Sequence, residues 1–325
     1  MRQEKDPFLS WGVRRIGGPS RLVSLHFFIL GIIFVANNTV VAQNEGDRYI
    51  QDSLRMLLSA RTIEGDIRIE TYAEGKKYTA HGSYAEQALP QITPGTFLRS
   101  MYRLEINFIN LPMAHNSKPN RMTLVCHPSE DSKRNLITRY ICIEGNESFS
   151  SINLAKVEEQ LKAVRPGTVA FANVSEVRYW GGLAGMMRQI SRFYEFATAT
   201  QENLQDEETV PTWKLTGTLK SIYSKELLTQ FGGTNKKGHY PADFPSDIEV
   251  WLGRHNDFPY KIRYLRRVSE NSSRKEPLFQ ESFFKVNVNG PPIPASKFAP
   301  LTPPENVSNV QDVTENYLRE LGLVP

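Results

Sequence analysis

Apolar and polar side chains alternate every second residue in many short segments of this 325-residue chain. In the clearest segment, residues 102–108, Tyr102, Leu104 and Ile106 alternate with Arg103 and Glu105. Such alternation is typical of a β-strand with one buried face and one wet face. The same period predicts strands in segments 63–70, 78–86, 122–127, 136–144, 213–220, 248–252, 260–264 and 278–288.

Helical spacing of apolar residues marks the remaining ordered segments. Residues 48–61 form one amphipathic stripe, and Asn153 is a candidate N-cap for a second helix that ends at Pro166. A short helix is predicted from Asp312 to Leu321. A longer stripe that follows Gly181 and Gly182 comprises Leu183, Met187, Ile190, Tyr194 and Ala197, and is widened by Met186 and Phe193.

The order of these elements predicts an α+β fold. About eight to ten strands joined by short connections favour an antiparallel sheet that is wet on one face and covered on the other. We therefore expect one strongly curved sheet, an open and incomplete β-barrel, with amphipathic helices covering its concave face. The predicted organisation is a signal at 1–42, a single domain at 43–310 and a short helical tail at 311–325.

The first 42 residues have the three parts of a secretory signal. Arginines precede the apolar run Leu22–Ala36, and small residues at Val40 and Ala42 favour cleavage before Gln43. The alternative, an uncleaved anchor, would place Asn37 in the hydrocarbon. No Cys for lipid attachment lies near the site, so we expect an exported, periplasmic protein that is not membrane-anchored after cleavage.

Removal of the signal changes the charge balance. The whole chain has 39 basic and 35 acidic side chains, and residues 1–42 hold five and two of these, which leaves 34 and 33. The mature protein is therefore nearly neutral, unlike a nucleic-acid-binding domain.

Signals of catalysis and of metal binding are weak. A Gly-x-Ser-x-Gly elbow is absent from the sequence, and the mature chain's five histidines, at 81, 115, 127, 239 and 255, show no metal-ligand spacing. Cys126 and His127 are neighbours on a predicted strand, so their side chains point to opposite faces. We expect no catalytic residue, metal or cofactor, and an envelope hydrolase is the weakest of the functions considered.

Three further features leave alternatives open. Cys126 and Cys142 lie on neighbouring predicted strands, a few residues out of direct register, and form either a disulfide or two buried free thiols. The glycines at 181 and 182 either bind an anion at a helix N-terminus or let the helix approach the sheet closely, which is favoured. The loop Gly232–Gly238 is interpreted as a hairpin tip and not as a phosphate loop.

The carboxyl-terminal part of the chain resembles the periplasmic lipoprotein carriers of the LolA-like family. The resemblance rests on Ile248–Leu252, Phe258–Tyr264, Phe283–Asn289 and Phe298–Pro304, with Ile293 and Phe298 matching a segment that crosses the sheet in that family. It implies an open β-barrel whose concave side is plugged by helices, with an apolar cavity that holds acyl chains between the two layers.

This resemblance implies a non-enzymatic protein that binds a lipid, an acyl chain or a lipoprotein. The alternative is a module on the same fold that recognises an envelope protein partner; a side-chain-packed interior would favour it. The candidate residues serve either as core or as cavity lining: Leu183, Met186, Met187, Ile190, Phe193, Tyr194, Trp213, Trp251, Tyr264 and Phe284.

Overall fold

A computed structural model describes most of the chain that follows the predicted signal. The described residues are 44–73, 75–89, 100–109, 121–127, 136–143, 146–163, 182–223, 245–268, 272–307 and 309–320. The predicted signal at 1–42, the loop Gly232–Gly238 and the helix end at Pro166 lie outside these ranges.

The described elements are four α-helices, one 3₁₀ helix and thirteen strands. The helices are α1 (Glu45–Ser59), α2 (Leu154–Ala163), α3 (Gly182–Phe193) and α4 (Thr314–Glu320), with the 3₁₀ helix at Ala295–Phe298. The strands are β1 (Thr62–Ala73), β2 (Lys76–Ala88), β3 (Ser100–Phe108), β4 (Arg121–His127), β5 (Leu136–Ile143), β6 (Asn146–Asn153), β7 (Tyr194–Phe196), β8 (Thr200–Gln205), β9 (Thr209–Leu219), β10 (Asp247–Gly253), β11 (Pro259–Arg267), β12 (Lys275–Val288) and β13 (Asn309–Asp312).

All thirteen strands belong to one sheet. Its order is β13-β6-β5-β4-β3-β2-β1-β12-β11-β10-β9-β7, and β8 also pairs with β9. Every pair is antiparallel except β13 with β6, which is parallel. In the described structure β13 and β7 are the two ends of the order and do not pair with each other, so the sheet is an open, incomplete barrel.

The position of α3 shows how strongly the sheet curves. The helix begins against Glu86 of β2 and runs at its other end directly into β7. β2 and β7 are six steps apart in the sheet order, about 29 Å along its surface at 4.8 Å per step. A helix of 12 residues is only about 18 Å long. The helix is therefore a chord across a concave face, as predicted from the sequence.

The inner, concave face carries the main core. Opposed residues of an antiparallel pair project to the same side, so the pairing identifies this face from strand to strand. Helices α1 and α3 pack onto it through Ile50, Leu57, Met187 and Ile190, which belong to the same apolar cluster as the inner strand residues. The inner residues of the central strands include Ile67, Ile69, Ala80, Leu104, Ile106, Leu215, Ile248, Val250, Ile262 and Phe283.

The carboxyl-terminal segment crosses the outer face of the sheet. Ile293 and Phe298 are buried there against Ala85 and Met101, which confirms the crossing expected at these two residues. The chain then adds β13 beyond β6, and α4 packs Tyr317 and Leu318 into the main core. The predicted boundary between residues 310 and 311 falls inside β13, so the described part of the tail is built into the same domain.

The sequence analysis missed four of the thirteen described strands. β6, β7, β8 and β13 were not predicted, because two of them have only three or four residues and the other two lack apolar alternation. The N-cap prediction at Asn153 is confirmed, since its Oδ1 accepts hydrogen bonds from the amides of Ala155 and Lys156. The helix predicted through Ala197 ends at Phe193, where the chain turns to pair with β9.

Candidate functional site

The candidate residues of α3 lie together on the inner face. Met187 and Ile190 are fully buried, and the other candidates on α3, Leu183, Met186 and Phe193, are no more than 7% exposed, whereas Ala197 is exposed. Tyr194 is also fully buried, but it belongs to β7 and not to the helix; its hydroxyl donates a hydrogen bond to the carbonyl oxygen of Pro245 at 2.7 Å. The residues that the structure brings together here are Leu183, Met186, Met187, Ile190, Phe193 and Tyr194.

Two of the four strand candidates lie on the same inner face. Trp213 is directly opposite Leu252 and stacks at 5.1 Å on Tyr49 of α1, with the rings tilted. Tyr264 is opposite Ile248 and belongs to the main apolar cluster. Both therefore lie between the sheet and the helices, where a cavity lining was expected.

The other two candidates lie on the outer face, which corrects the expectation for them. Trp251 is opposite Lys214 and Lys261, whose Nζ atoms lie 4.9 and 5.0 Å from its ring centroid. Phe284 is opposite Asp66, and the guanidinium of Arg68 lies 5.0 Å from its ring centroid. Neither side chain can reach a ligand held between the sheet and the helices.

These outer residues are buried because a polar layer covers them. Arg263 donates hydrogen bonds to Gln280 at 2.7 Å and to Glu249 at 3.3 Å, and Gln280 donates to Glu70 at 3.3 Å. Asp206, in the turn between β8 and β9, forms an ion pair with Arg68. The turn therefore lies over the outer face, and aromatic side chains on both faces of the sheet are buried.

A carboxylate on the inner face holds the start of α3. Glu86 is 6% exposed and accepts hydrogen bonds from the Tyr84 hydroxyl at 2.5 Å, the Ser100 hydroxyl at 2.6 Å and the amide of Leu183 at 3.0 Å. Burial raises the pKa of the Glu86 carboxyl, although these donors favour the ionised form. The first turn of the helix thus receives a hydrogen-bond acceptor from the sheet itself.

Gly182 makes this contact possible. Its φ is +62°, a left-handed conformation that disfavours any residue with a Cβ atom. A Cβ atom placed there would lie 2.0 Å from Oε1 of Glu86. Gly182 therefore lets the helix approach the sheet closely, as favoured from the sequence, and the helix amide that could have bound an anion donates to the carboxyl group of Glu86.

A second carboxylate, Glu281, lies on the inner face. It is 3% exposed and stands between Ile69 of β1 and Ile262 of β11 in the register of the sheet. Burial, and then the charge of Glu86, raises the pKa of the Tyr84 hydroxyl, and the charge of Glu281 adds to this effect. The ring of Tyr84 meets Phe283 edge-on at 5.9 Å, so these acidic groups lie within an aromatic environment.

The two cysteines are free thiols. Cys126 is opposite Ile137, whereas Cys142 is opposite Arg121, five positions away along β4. Five strand residues span about 17 Å, far beyond the separation of about 7 Å that a disulfide tolerates. The two side chains also point to opposite faces, and burial raises the pKa of the Cys126 thiol.

The site offers apolar contact and hydrogen bonding. In the described ranges, no group of His, Cys, Asp and Glu is arranged to hold a metal ion. Glu86 and Glu281 were missed from the sequence. Their signal was a glutamate at an inner position of an alternating strand, where the neighbours two residues away, such as Tyr84 and Phe283, are apolar or aromatic.

No protein-family model and no curated protein sequence matches the chain. The chain is similar to solved structures over most of its length. A DUF1329 family protein from Desulfovibrio piger has 8% identity and a TM-score of 0.34, with 79% of this chain and 98% of that chain covered. LprF from Mycobacterium bovis has 12% identity and a TM-score of 0.35, with 77% of this chain and 95% of that chain covered. The LolA superfamily protein NE2245 from Nitrosomonas europaea has 9% identity and a TM-score of 0.24, with 78% of this chain and 97% of that chain covered.

The last of these structures carries the name of the superfamily that the sequence resembles. All three TM-scores lie below 0.5, where a likeness is too weak to carry an inference about function. The chemistry of this chain's own residues has to supply that inference.

Proposed function

We propose that the chain is an exported, non-enzymatic protein that binds a lipid or another apolar group between the inner face of its sheet and its helices. The observation that supports this is the open sheet itself. An unclosed, strongly curved sheet has a concave apolar face that its own short side chains do not fill, so helices or a ligand must cover it. Here α1 and α3 provide that cover.

Entry of a ligand requires the helix layer to move or to repack. The inner side chains are buried at 8% exposure or less in the main cluster, so the protein's own groups occupy the described interior. Met186 and Met187 lie in that layer, and methionine adapts readily to a new apolar neighbour. Within the layer, Gln51 of α1 donates to the Ser191 hydroxyl of α3 at 2.5 Å. Described polar contacts between the layer and the sheet include the Leu183 amide to Glu86 at 3.0 Å and the Phe196 amide to Asp47 at 3.1 Å.

The packed interior also favours a second candidate, a module that recognises an envelope protein through its surface. Such a module needs no internal space. The same burial of Met187, Ile190 and the inner strand residues supports this alternative. The two candidates differ in one observable, the uptake of an apolar molecule by the interior.

Two neighbouring phenylalanines on β12 provide a matched test. Phe283 and Phe284 are 3% and 4% exposed and lie on the inner and outer faces. We expect native protein purified without detergent to carry lipid in mass spectrometry and to bind a neutral fluorescent monoacylglycerol saturably. Phe283→Leu should change the affinity at least about threefold, and Phe284→Leu should leave it unchanged, because only Phe283 contacts the interior.

Thermal unfolding of both variants shows whether they keep the fold. Equal effects of the two substitutions on affinity would place the probe elsewhere than the interior. Absence of both bound lipid and saturable uptake would refute lipid binding and would leave the protein-recognition module as the better account.

A further inference from the structure

Four side chains of the outer face lie in register across neighbouring strands. Trp251 of β10 is opposite Lys261 of β11, and Lys261 is opposite Ser282 of β12. Ser282 is in turn opposite Arg68 of β1. Opposed residues of an antiparallel pair project to the same face, so an indole, an ammonium group, a hydroxyl and a guanidinium group follow one another across the sheet.

Lys261 is the cation of this row that lacks a counter-ion. Among the described residues no carboxylate forms an ion pair with its half-buried ammonium group, whereas Arg68 pairs with both Asp206 and Glu70. Burial, and then the charge of Arg263, lowers the pKa of Lys261, although the charges of Asp206 and Glu70 oppose this effect. The surroundings therefore leave this ammonium group short of a negative partner.

The carboxylates of the neighbouring register positions are already engaged. Glu249 pairs with Lys214 and with Arg263, at 3.3 Å in each case. Glu70 pairs with Lys77 at 2.7 Å in addition to its contact with the guanidinium group of the row. Near Lys261, the described sheet therefore supplies no spare carboxylate.

An independent observation concerns a donor in the same row. Trp251 is 2% exposed, and its indole N–H has no hydrogen-bond partner among the residues that the structure describes. The ammonium group of Lys261 lies 5.0 Å from the centroid of this indole ring. A buried N–H without an acceptor is costly. A ligand that brings a negatively charged acceptor to this place would serve both groups.

We propose that the outer face carries a separate binding site for the carboxylate group of a ligand, in which Lys261 pairs with the charge and Trp251 donates its indole hydrogen. A carboxylate has two oxygens that only accept, so one group can serve an ammonium group and an N–H together. Lys214 and Lys261 lie against the indole on flexible stems, which can move aside to admit the ligand.

The charge balance favours a carboxylate over a phosphate. One unpaired ammonium group matches one negative charge, whereas a second negative charge would face Glu70 and Glu249 on the neighbouring register positions. The site lies on the face of the sheet away from the helices, so it goes beyond the proposed binding of a lipid in the interior.

Butyrate and butyramide test the site, because they have the same shape and differ in charge. Nuclear magnetic resonance of ¹⁵N-labelled protein at about pH 7, where butyrate is ionised, follows the indole N–H resonances. We expect butyrate to shift the resonance of Trp251, which Trp251→Phe identifies, in a saturable way, and butyramide to leave it in place. The resonance of Trp213 should not move with either ligand, since that ring lies on the inner face against Tyr49.

Two lysine variants provide the matched comparison. Lys261→Met removes the ammonium group and keeps most of the stem, so it should weaken butyrate binding at least about fivefold. Lys285→Met removes an exposed ammonium group that is already paired with Asp66 at 2.9 Å, and it should change the affinity by no more than about twofold. Thermal unfolding of both variants shows whether they keep the fold.

Peptides blocked at both ends decide the source of the carboxylate. Acetyl-Gly-Glu-Gly-amide carries a single carboxylate on its side chain, and acetyl-Gly-Gln-Gly-amide carries none. Tighter binding of the first peptide than of butyrate would assign the site to an acidic side chain of a polypeptide. The reverse order would assign it to a small free acid, and both orders support a carboxylate site.

Four results would overturn the proposal: no shift of Trp251, an equal shift with butyramide, equal weakening by Lys261→Met and Lys285→Met, or tighter binding of inorganic phosphate than of butyrate. The comparison of butyrate with butyramide on the wild-type protein decides the matter even if Lys261→Met does not fold. Because the interior takes no part, a failure of lipid binding would leave this inference standing.

Discussion

Glu86 links three parts of the chain that are distant in sequence. Its oxygens accept from Tyr84 two residues away, from Ser100 on the next strand and from the amide of Leu183, 97 residues away. A buried carboxylate of this kind is held by donors that would be left unsatisfied without it. At the residue scale, therefore, one side chain sets where α3 begins and how close it lies to the sheet.

This environment predicts a pH dependence with a definite sign. Because burial raises the pKa of Glu86 above 4.5, its contribution to stability is fully present below pH 4.5 and is lost as the pH rises through the raised value. As the pH rises from 4.5 through the raised pKa of Glu86, the unfolding free energy of the wild-type protein should therefore fall relative to that of Glu86→Gln. Urea unfolding of both proteins at a series of pH values measures the difference.

Glu70 is the control of opposite sign. Burial opposes ionisation there, but hydrogen bonds from Lys77 and Tyr72 prevail and lower the pKa of the Glu70 carboxyl below 4.5. Its contribution is present above pH 4.5 and is lost as the pH falls through the lowered value. If the stability difference between wild type and Glu86→Gln were instead lost as the pH falls, the raised pKa of Glu86 would be contradicted.

At the scale of elements, the carboxyl-terminal crossing holds together strands that are far apart in the sheet. It leaves β12 at Asn289, whose amide donates to the carbonyl of Thr62, and reaches β5 where the Leu301 amide donates to Thr138. Ile293 and Phe298 anchor it on the outer face between these points. In the described part of the chain, β13 itself pairs with β6, so these anchors add a second attachment of the carboxyl-terminal segment to the sheet.

Phe298→Ala should lower the unfolding free energy by about 3–5 kcal/mol, since it empties a site where the side chain is 2% exposed. Chemical denaturation measures this loss, and hydrogen exchange should show faster opening of β13. Ser296→Ala, at an exposed position of the same 3₁₀ helix, should change stability by no more than about 0.5 kcal/mol. Similar effects of the two substitutions would argue against the crossing as an anchor.

At the scale of the whole molecule, the proposed export would decide whether the working protein still carries residues 1–42. The segment before the described residues carries the predicted signal and most of the net positive charge. Among the helices in the described ranges, none combines the length and the apolar character that a membrane crossing needs. The proposed working form is the nearly neutral chain from Gln43 onward.

Expression of the whole sequence in a bacterium that has a periplasm should yield soluble protein that begins at Gln43, as read by mass spectrometry of the amino terminus. Ala42→Phe should block processing, because the cleavage site requires a small residue there. Wild-type protein that stays in the membrane fraction with residues 1–42 attached would contradict cleavage and favour the anchor.

The sequence by itself determined where most strands lie, because alternation is a local consequence of having one face buried. It also determined the cap at Asn153 and the stripe of α3, since both depend on residues within a few positions of each other. These features position the helix layer and the main core without reference to distant contacts.

Only the tertiary structure decided which face each aromatic residue occupies. Trp251 and Phe284 are as well buried as their inner neighbours, because cations and the turn after β8 cover the outer face. Alternation shows that two faces differ, but it does not identify the inner one when both are covered. The pairing of Glu86 with α3 and the place of Glu281 in the interior likewise depend on contacts between distant segments, which no local pattern records.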